Sequence, residues 1–371
     1  MAKCSEIYKI IEETAPVNRA EKWDNIGLQI GDPEAQVKRI LVSLDITNEV
    51  VDEAVDGNID LIVAHHPFIF KPIKQIHYDS PIGGMIRKLL KNDVMIYAAH
   101  TNLDKADMGI NHYLAGLFGL KDVRILSLEG NEQLYKLIVF VPKEYIEAVR
   151  NAIGNAGAGW IGNYSHCTFN TPGEGTFKPL EGTQPFIGEV GQLEKAAEYR
   201  LETIVPSSKL KTVLRAMMEN HPYEEVAYDI YPLANKGAGY GLGRVGILPE
   251  TINLGTFAAK VKSVLGTDQV GVVGDIQQPI SKVAVCGGAG ASLVDNALEH
   301  NADVLVTGDI KFHEAQDALA KKLAVIDAGH YATERVIVPV IARLLQEKMA
   351  NIDPKVEVIL STENTNPWQF I

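Results

Sequence analysis

Two stretches of this chain lie over two others without a gap. VDEAVDGNIDLIVAHH (51–66) matches VDNALEHNADVLVTGD (294–309), and KNDVMIYAAHTNLD (91–104) matches KKLAVIDAGHYATE (321–334). A repeat constrains architecture more than any single motif, because each copy must bury the same apolar face against the same kind of neighbour. Both halves read as strand, helix, strand, helix, strand. The first runs RILVSLDI, TNEVVDEAVDGN, IDLIVAHH, PIGGMIRKLLKN, VMIYAAH, and the second KVAVCGG, SLVDNALEHN, ADVLVTGD, KFHEAQDALAKK, LAVIDAGH. Near-continuous apolar strands alternating with helices predict an α/β fold of mostly parallel sheets flanked by helices. In such sheets ligands gather at the carboxyl ends of the strands.

Between the halves the periodicity restarts. YKLIVFVP, KEYIEAVRNAIGNAG and YSHCTFNT read as strand, helix, strand; after a Gly/Pro-rich passage, YRLETIVPS, SKLKTVLRAMMENHP and EEVAYDIYPL repeat that order. This is the split βαβ, ferredoxin-like pattern of an inserted α+β domain. The expected organisation is therefore a first α/β half over 1–128, an insertion over 129–236 and a second α/β half over 237–371.

Polar residues collect where the repeat ends its strands. His65 and His66 close one strand, His100 and Asp104 follow another, and His330 and Glu334 follow its counterpart. Neighbouring residues of a continuous strand point to opposite faces, but Pro67 stops this strand, so the pair can address two adjacent points. Two metal ions about 3.5–4 Å apart are such points. His330 and Glu334 share a helix face by their i,i+4 spacing, and a carboxylate there can bridge two ions. His100 and Asp104 repeat the spacing and offer a further oxygen ligand. Taken singly, a His-His pair reads as surface or satisfied core, and an i,i+4 pair as an ordinary helix face. Three such clusters at repeat-related strand ends favour metal binding.

Composition decides which ligands are available. The three cysteines, Cys4, Cys167 and Cys286, are far apart with no C-x-x-C spacing, which speaks against a disulfide framework and a thiolate site. Imidazole and carboxylate suit zinc, iron, manganese or nickel. A net charge of −12 gives no overall attraction to nucleic acid or anionic lipid. No segment approaches the roughly 20 apolar residues of a membrane span, and the N-terminus lacks the apolar run of a signal peptide, so the expected location is cytoplasmic.

EKWDNIGLQIGD (21–32), AHHPFIF (64–70), AAHTNLD (98–104), GLGRVG (241–246), VTGDIKFHEA (306–315) and DAGHYATE (327–334) together resemble the dinuclear-metal family named for the yeast Ngg-interacting factor three. Its bacterial members are labelled GTP cyclohydrolase I type 2 homologues. The middle segment resembles the PII/CutA-like insertion of the longer bacterial members. The resemblance implies two divalent ions per chain held by His65, His66, Asp104, His330 and Glu334, with Glu334 bridging. It also implies a toroidal homo-hexamer with the metal sites facing an internal cavity. His100 is not a ligand in that scheme and falls behind the ligands, where such residues orient them.

Other candidates carry a plainer reading beside the functional one. Asp309 and His313 form another i,i+4 pair: a helix cap, or a proton carrier or substrate contact beside the metals. VCGGAGAS (285–292), with Gly288, Gly290 and Ser292, is a tight turn or an anion cradle for substrate. GLGRVG satisfies G-x-G-x-x-G but neither follows a strand nor opens a helix, so it is no dinucleotide site. Asp24 and Asn25 read most simply as a turn.

The expected function is a metal-dependent hydrolase acting on a small molecule, a nucleotide or phosphoester, with water activated between paired ions. The alternative is a non-enzymatic regulatory or scaffold protein whose insertion senses a ligand.

Overall fold

The computed structural model describes residues 2–369. The chain forms two compact units, Met1–Glu129 with Tyr240–Ile371, and Gly130–Gly239. It passes between them within two long strands, Lys121–Pro142 and Tyr228–Asn253.

The first unit is mixed α/β. One sheet orders its strands as Glu357–Leu360, Arg39–Ser43, Leu61–Ala64, Met95–Ala98 and Gly27–Ile30. All neighbours are parallel except the last. In the other, Gly271–Val273, Ala324–Asp327, Val304–Gly308 and Pro279–Ala289 lie in that order, followed by the C-terminal part of Tyr228–Asn253. There the pairs among Pro279–Ala289, Val304–Gly308 and Ala324–Asp327 are parallel and the flanking ones antiparallel. The repeat is thus larger than the sequence match: Gly27–Ile30 runs antiparallel beside Met95–Ala98 as Gly271–Val273 does beside Ala324–Asp327.

Local chemistry fixes these elements. Leu61–Ala64 and Met95–Ala98 are buried throughout, which their uninterrupted apolar sequences require. Helix Asn48–Asp56 is capped by Thr47, whose hydroxyl accepts the Val50 N–H. Asn58 and Asn301, equivalent in the repeat, both turn the chain from helix to strand with left-handed backbone, φ 48° and 53°. Asparagine tolerates that conformation better than other side chains with a Cβ. Val63 and Tyr97 of one half share a core with Val306 and Ile326 of the other and with helices Cys4–Thr14 and Val338–Ile352.

The glycines of GLGRVG have a packing role. Arg244 is 2% exposed and donates to the carbonyls of Gly241, Gly243 and Ala106 at 3.1, 2.8 and 2.7 Å. A buried guanidinium holding the chain together replaces any nucleotide contact there.

The second unit follows the order strand, helix Ile146–Asn155, strand Thr168–Phe177, strand Glu194–Pro206, helix Leu210–Asn220, strand. Glu194–Pro206 lies between Lys121–Pro142 and Thr168–Phe177, antiparallel to both. Thr168–Phe177 starts later than its sequence suggested, because Ile161 and Tyr164 close a small turn and His166 takes φ 57°. Among the described residues no helix is long and apolar enough to cross a membrane.

Candidate metal centre

Three strand ends of the first unit deliver the histidines. After Leu61–Ala64, the His65 and His66 N–H groups bond to the carbonyls of Ser43 and Leu44, carrying sheet pairing past the strand before Pro67 ends it. After Met95–Ala98 comes His100 and the short helix Thr101–Asp104. After Ala324–Asp327, Gly329 at φ 82° turns the chain into the short helix His330–Glu334.

These side chains meet. Ligand-type atoms lie within 4.8 Å of one another in three sets: His65, His66 and His100; His66, His330 and Glu334; His65, Asp104 and Glu334. His66 Nε2 and His330 Nε2 stand 2.9 and 3.0 Å from Glu334 Oε2, and His65 Nε2 stands 3.9 Å from it and 3.7 Å from Asp104 Oδ1.

What faces the other ring nitrogen explains the convergence. His66 Nδ1 bonds to Asp45 Oδ1 at 2.6 Å, His100 Nδ1 to Asp24 Oδ1 at 2.9 Å, and His330 Nδ1 to Asp309 Oδ2 at 2.7 Å; His65 Nδ1 bonds to the Ala99 carbonyl at 2.8 Å. Each outer partner is an acceptor, so each Nδ1 carries a proton and each Nε2 faces inward. Such partners orient metal-ligating imidazoles.

The electrostatics follow from burial and these neighbours. Burial pulls His65 down to about 3, keeping it neutral as a ligand must be. Burial also disfavours charge on His66, yet Asp45 and Glu334 on either side push it up to about 10. Glu334 beside His330 raises that ring to about 9 against burial. Burial, reinforced by the Glu334 carboxylate, lifts Asp104 to about 7. Glu334 itself is buried, but His330 and His66 hold it below the usual carboxylate range. A metal ion would displace the second protons these shifts favour on His66 and His330 and take up their Nε2 lone pairs.

Two atoms test whether a cation fits. His65 Nε2 and Glu334 Oε2 are buried without a hydrogen-bond partner, although the Nε2 atoms of His66 and His330 are within 3.0 Å of the latter. The ring nitrogens approach Glu334 without hydrogen-bond alignment. Buried polar atoms are ordinarily satisfied, and lone pairs aimed at a common point are what a metal ion satisfies. The residues fit the group.

The repeat explains the asymmetry of the cluster. His65 is equivalent to Gly308, and His66 to Asp309. A Cβ at Gly308 would stand 2.6 Å from the His330 backbone nitrogen, so no histidine can stand there. Asp309, at φ 57°, turns back to His330 and does not cap the following helix Phe312–Ala320, whose cap is Lys311 with Glu314. His313 is on that helix, exposed, bonded to Gln316, and is not brought to the cluster. At the glycine turn, the Gly287 and Gly288 N–H groups donate to Asn111 Oδ1 and Thr333 Oγ1, which leaves neither for an anion. A Cβ on Gly290 would meet Thr307 Oγ1 at 2.4 Å, so close packing accounts for it, and Ser292 does not line the cavities beside the cluster.

Sequence reasoning missed Asp45 and Thr365 and read Asp24 most simply as a turn. Asp45 ends a strand as the histidines do, and that position was the available signal. Asp24 is 76 residues from His100; its buried carboxylate also accepts the Thr101 N–H and hydroxyl, and these bonds outweigh burial to hold it down at about 2. Thr365, on Asp45 Oδ2, gave no signal.

A cavity of about 470 Å³ opens from His66, Asp309 and His330, bounded by Phe68, Tyr331 and Trp368. His330 has 37% of its side chain exposed and His65 none, so the cluster grades from open to closed.

The chain is similar to known proteins over its whole length. The model of the Duf34/NIF3 (NGG1p interacting factor 3) family matches residues 2–367. A Bacillus subtilis protein named GTP cyclohydrolase 1 type 2 homolog is 47% identical over 366 residues, covering 99% of this chain and 98% of that one. A Halalkalibacterium halodurans protein of the same name is 44% identical across the whole of both chains, 371 residues. Among solved structures, a Bacillus cereus protein related to NIF3 superposes with a TM-score of 0.90 at 45% identity, covering 100% of this chain and 99% of that one. Staphylococcus aureus protein SA1388 does so with a TM-score of 0.72 at 30% identity, with the same coverage.

Proposed function

The chain belongs to the Duf34/NIF3 family, and from that premise we propose a dinuclear divalent-metal centre held by His65, His66, Asp104, His330 and Glu334. The observation that carries this reading is the convergence of three imidazole Nε2 atoms on one unsatisfied buried carboxylate oxygen, with Asp104 beside His65. Two of the three ligand sets share Glu334. His66, His330 and Glu334 would form one position, His65, Asp104 and Glu334 the other, with Glu334 bridging. Nitrogen and oxygen donors suit zinc, iron, manganese or nickel.

The proposed activity is hydrolysis of a nucleotide or phosphoester, the former in line with the name the relatives carry. Bound ions would supply a polarised electrophile and activated water. The chain supplies the rest. Asp45, Asp309 and the Ala99 carbonyl fix the ligand rings. His100, held by the buried Asp24, has its ring 5.2 Å from that of His65 and 5.5 Å from that of His66, where its Nε2 can carry a proton to or from a reacting group. The cavity beside His330 admits a small molecule while His65 stays dry.

The reading extends to two further proposals. The strand and helix order of the second unit, with the neighbour order Tyr228–Asn253, Lys121–Pro142, Glu194–Pro206, Thr168–Phe177, supports a ferredoxin-like insertion. A toroidal homo-hexamer, implied by the resemblance alone, is tested by light scattering, which should return the mass of six chains. The test of function is anaerobic purification, metal analysis, and a panel of nucleotides and phosphoesters assayed with each metal. Saturable turnover that disappears with the metal supports the hydrolase. Two ions per chain with no turnover across the panel would overturn it.

A further inference from the structure

The strand Glu357–Leu360 forms one edge of the five-stranded sheet, and beyond it residues 361–368 run on without regular secondary structure. Two carboxylates fasten this segment. Glu53 accepts the Ser361 hydroxyl, and its Oε1 accepts the Thr362 N–H and hydroxyl, each at 2.8 Å. Asp45 accepts the Thr365 hydroxyl through Oδ2. Between and beyond these anchors the backbone is folded by its own side chains: Asn364 Oδ1 accepts the Asn366 N–H and Asn366 Oδ1 the Trp368 N–H, both at 3.1 Å. So held, Thr365, Asn366, Pro367 and Trp368 line the same cavity as His66 and His330.

Asp45 has two oxygens and two duties. Oδ1 fixes His66 Nδ1 at 2.6 Å, and Oδ2 is held by Thr365 from a segment 320 residues away. Without that hydroxyl, no hydrogen bond to Oδ2 among the described residues opposes rotation of a carboxylate that is 31% exposed. His65 is different: its Nδ1 is fixed by the Ala99 carbonyl, part of the backbone that follows a buried strand. The segment therefore reaches one histidine of the adjacent pair and not the other.

We propose that residues 361–368 are a working part of the centre and that Thr365 is a positioning residue: through Asp45 it sets the His66 ring, and so the affinity of the position formed by His66, His330 and Glu334. The position formed by His65, Asp104 and Glu334 is independent of it. This rests on the dinuclear reading above and assigns an unequal response to its two halves.

The experiment is a zinc titration of the full chain, by calorimetry and chelator competition, for the unmodified protein, Thr365→Val and Thr365→Ser. Partners that orient metal ligands are typically worth 10–100-fold in affinity. Thr365→Val should weaken one of two zinc ions about tenfold or more and leave the other unchanged, while Thr365→Ser, which keeps the hydroxyl, should restore it. Ending the chain at Glu363 should reproduce the valine result. In an Asp104→Asn background the remaining ion should respond to Thr365→Val, and in a His330→Ala background it should not. Two unchanged affinities, or two lowered equally, would overturn the proposal. Fewer than two zinc ions in the unmodified chain would overturn the dinuclear reading first and this proposal with it.

Discussion

Glu334 fills the space that a side chain on Gly288 would need: a Cβ there would lie 2.2 Å from Glu334 Oε1. Gly288 also has φ 64°, which a side chain resists. Gly288→Ala should therefore push the carboxylate out of line, removing metal from both positions, and cost about 1 kcal/mol or more of stability. Metal analysis and thermal unfolding read the two effects. Full occupancy in this variant would mean that Glu334 is not the shared ligand.

Glu334 and Asp104 should differ in reach. Glu334→Gln removes the charge common to both positions and should weaken both ions at least tenfold, whereas Asp104→Asn should weaken one. Equilibrium dialysis with metal quantification distinguishes them, and an equal pattern in the two variants contradicts the assignment.

Cys286 lies against the centre but is not built as a nucleophile. Burial, reinforced by the Asp104 and Glu334 carboxylates, pushes its thiol well above the ordinary range, and burial lifts Cys4 to about 11. Iodoacetamide at pH 8 should modify the half-buried Cys167 and spare the other two, as peptide mass mapping would show. Cys286→Ala should keep any turnover, while His66→Ala should lose about two orders of magnitude or more. The reverse ranking would point to covalent catalysis.

His221 should make the second unit sensitive to acid. Its Nε2–H donates to the Phe140 carbonyl and its Nδ1 accepts the Tyr223 N–H, so both nitrogens are used by the neutral ring. Burial lowers its pKa below 6.5, so on acidification the unfolded chain takes up the proton first. The sign is then fixed: stability is held above about pH 6.5 and lost as pH falls toward the depressed native value. Thermal unfolding at pH 7.5 and 5.5 should show a smaller drop for His221→Gln than for the unmodified chain; an identical drop would assign the acid sensitivity elsewhere.

The second unit should be removable. A Cβ on Gly241 would come within 1.9 Å of the Ser127 carbonyl oxygen, so the two strands that leave the first unit are in contact there. A chain joining Glu129 to Tyr240 through a short glycine-containing turn should fold and bind metal. Aggregation of that chain, with the full chain soluble, would show that the second unit completes the first.

The sequence exposed what is periodic and hid what is assembled. The paired histidines, His100 with Asp104, and His330 with Glu334 were visible because the repeat marks strand ends and the polar residues there interrupt an apolar pattern. Thr365 was invisible and Asp24 read most simply as a turn, since each reaches its aspartate or histidine by a contact across the fold that leaves no local spacing. His313 misled for a local reason: its i,i+4 spacing from Asp309 has meaning only inside one helix, and the helix begins at Phe312, after the left-handed turn at Asp309. The glycines at 287–290 drew attention as a possible anion cradle, whereas they mark where Glu334, Thr307 and Ile110 press against the backbone.

Gly308 has a consequence for anyone who would symmetrise this protein. The two halves share their strand order, but the residue that would copy His65 into the second half has the His330 backbone where its side chain must begin. Point substitution alone cannot place a counterpart of His65 in the second half. A designed chain with two identical halves would need to move the turn before His330 first, and a homodimer of either half alone would inherit a centre with the wrong number of imidazoles.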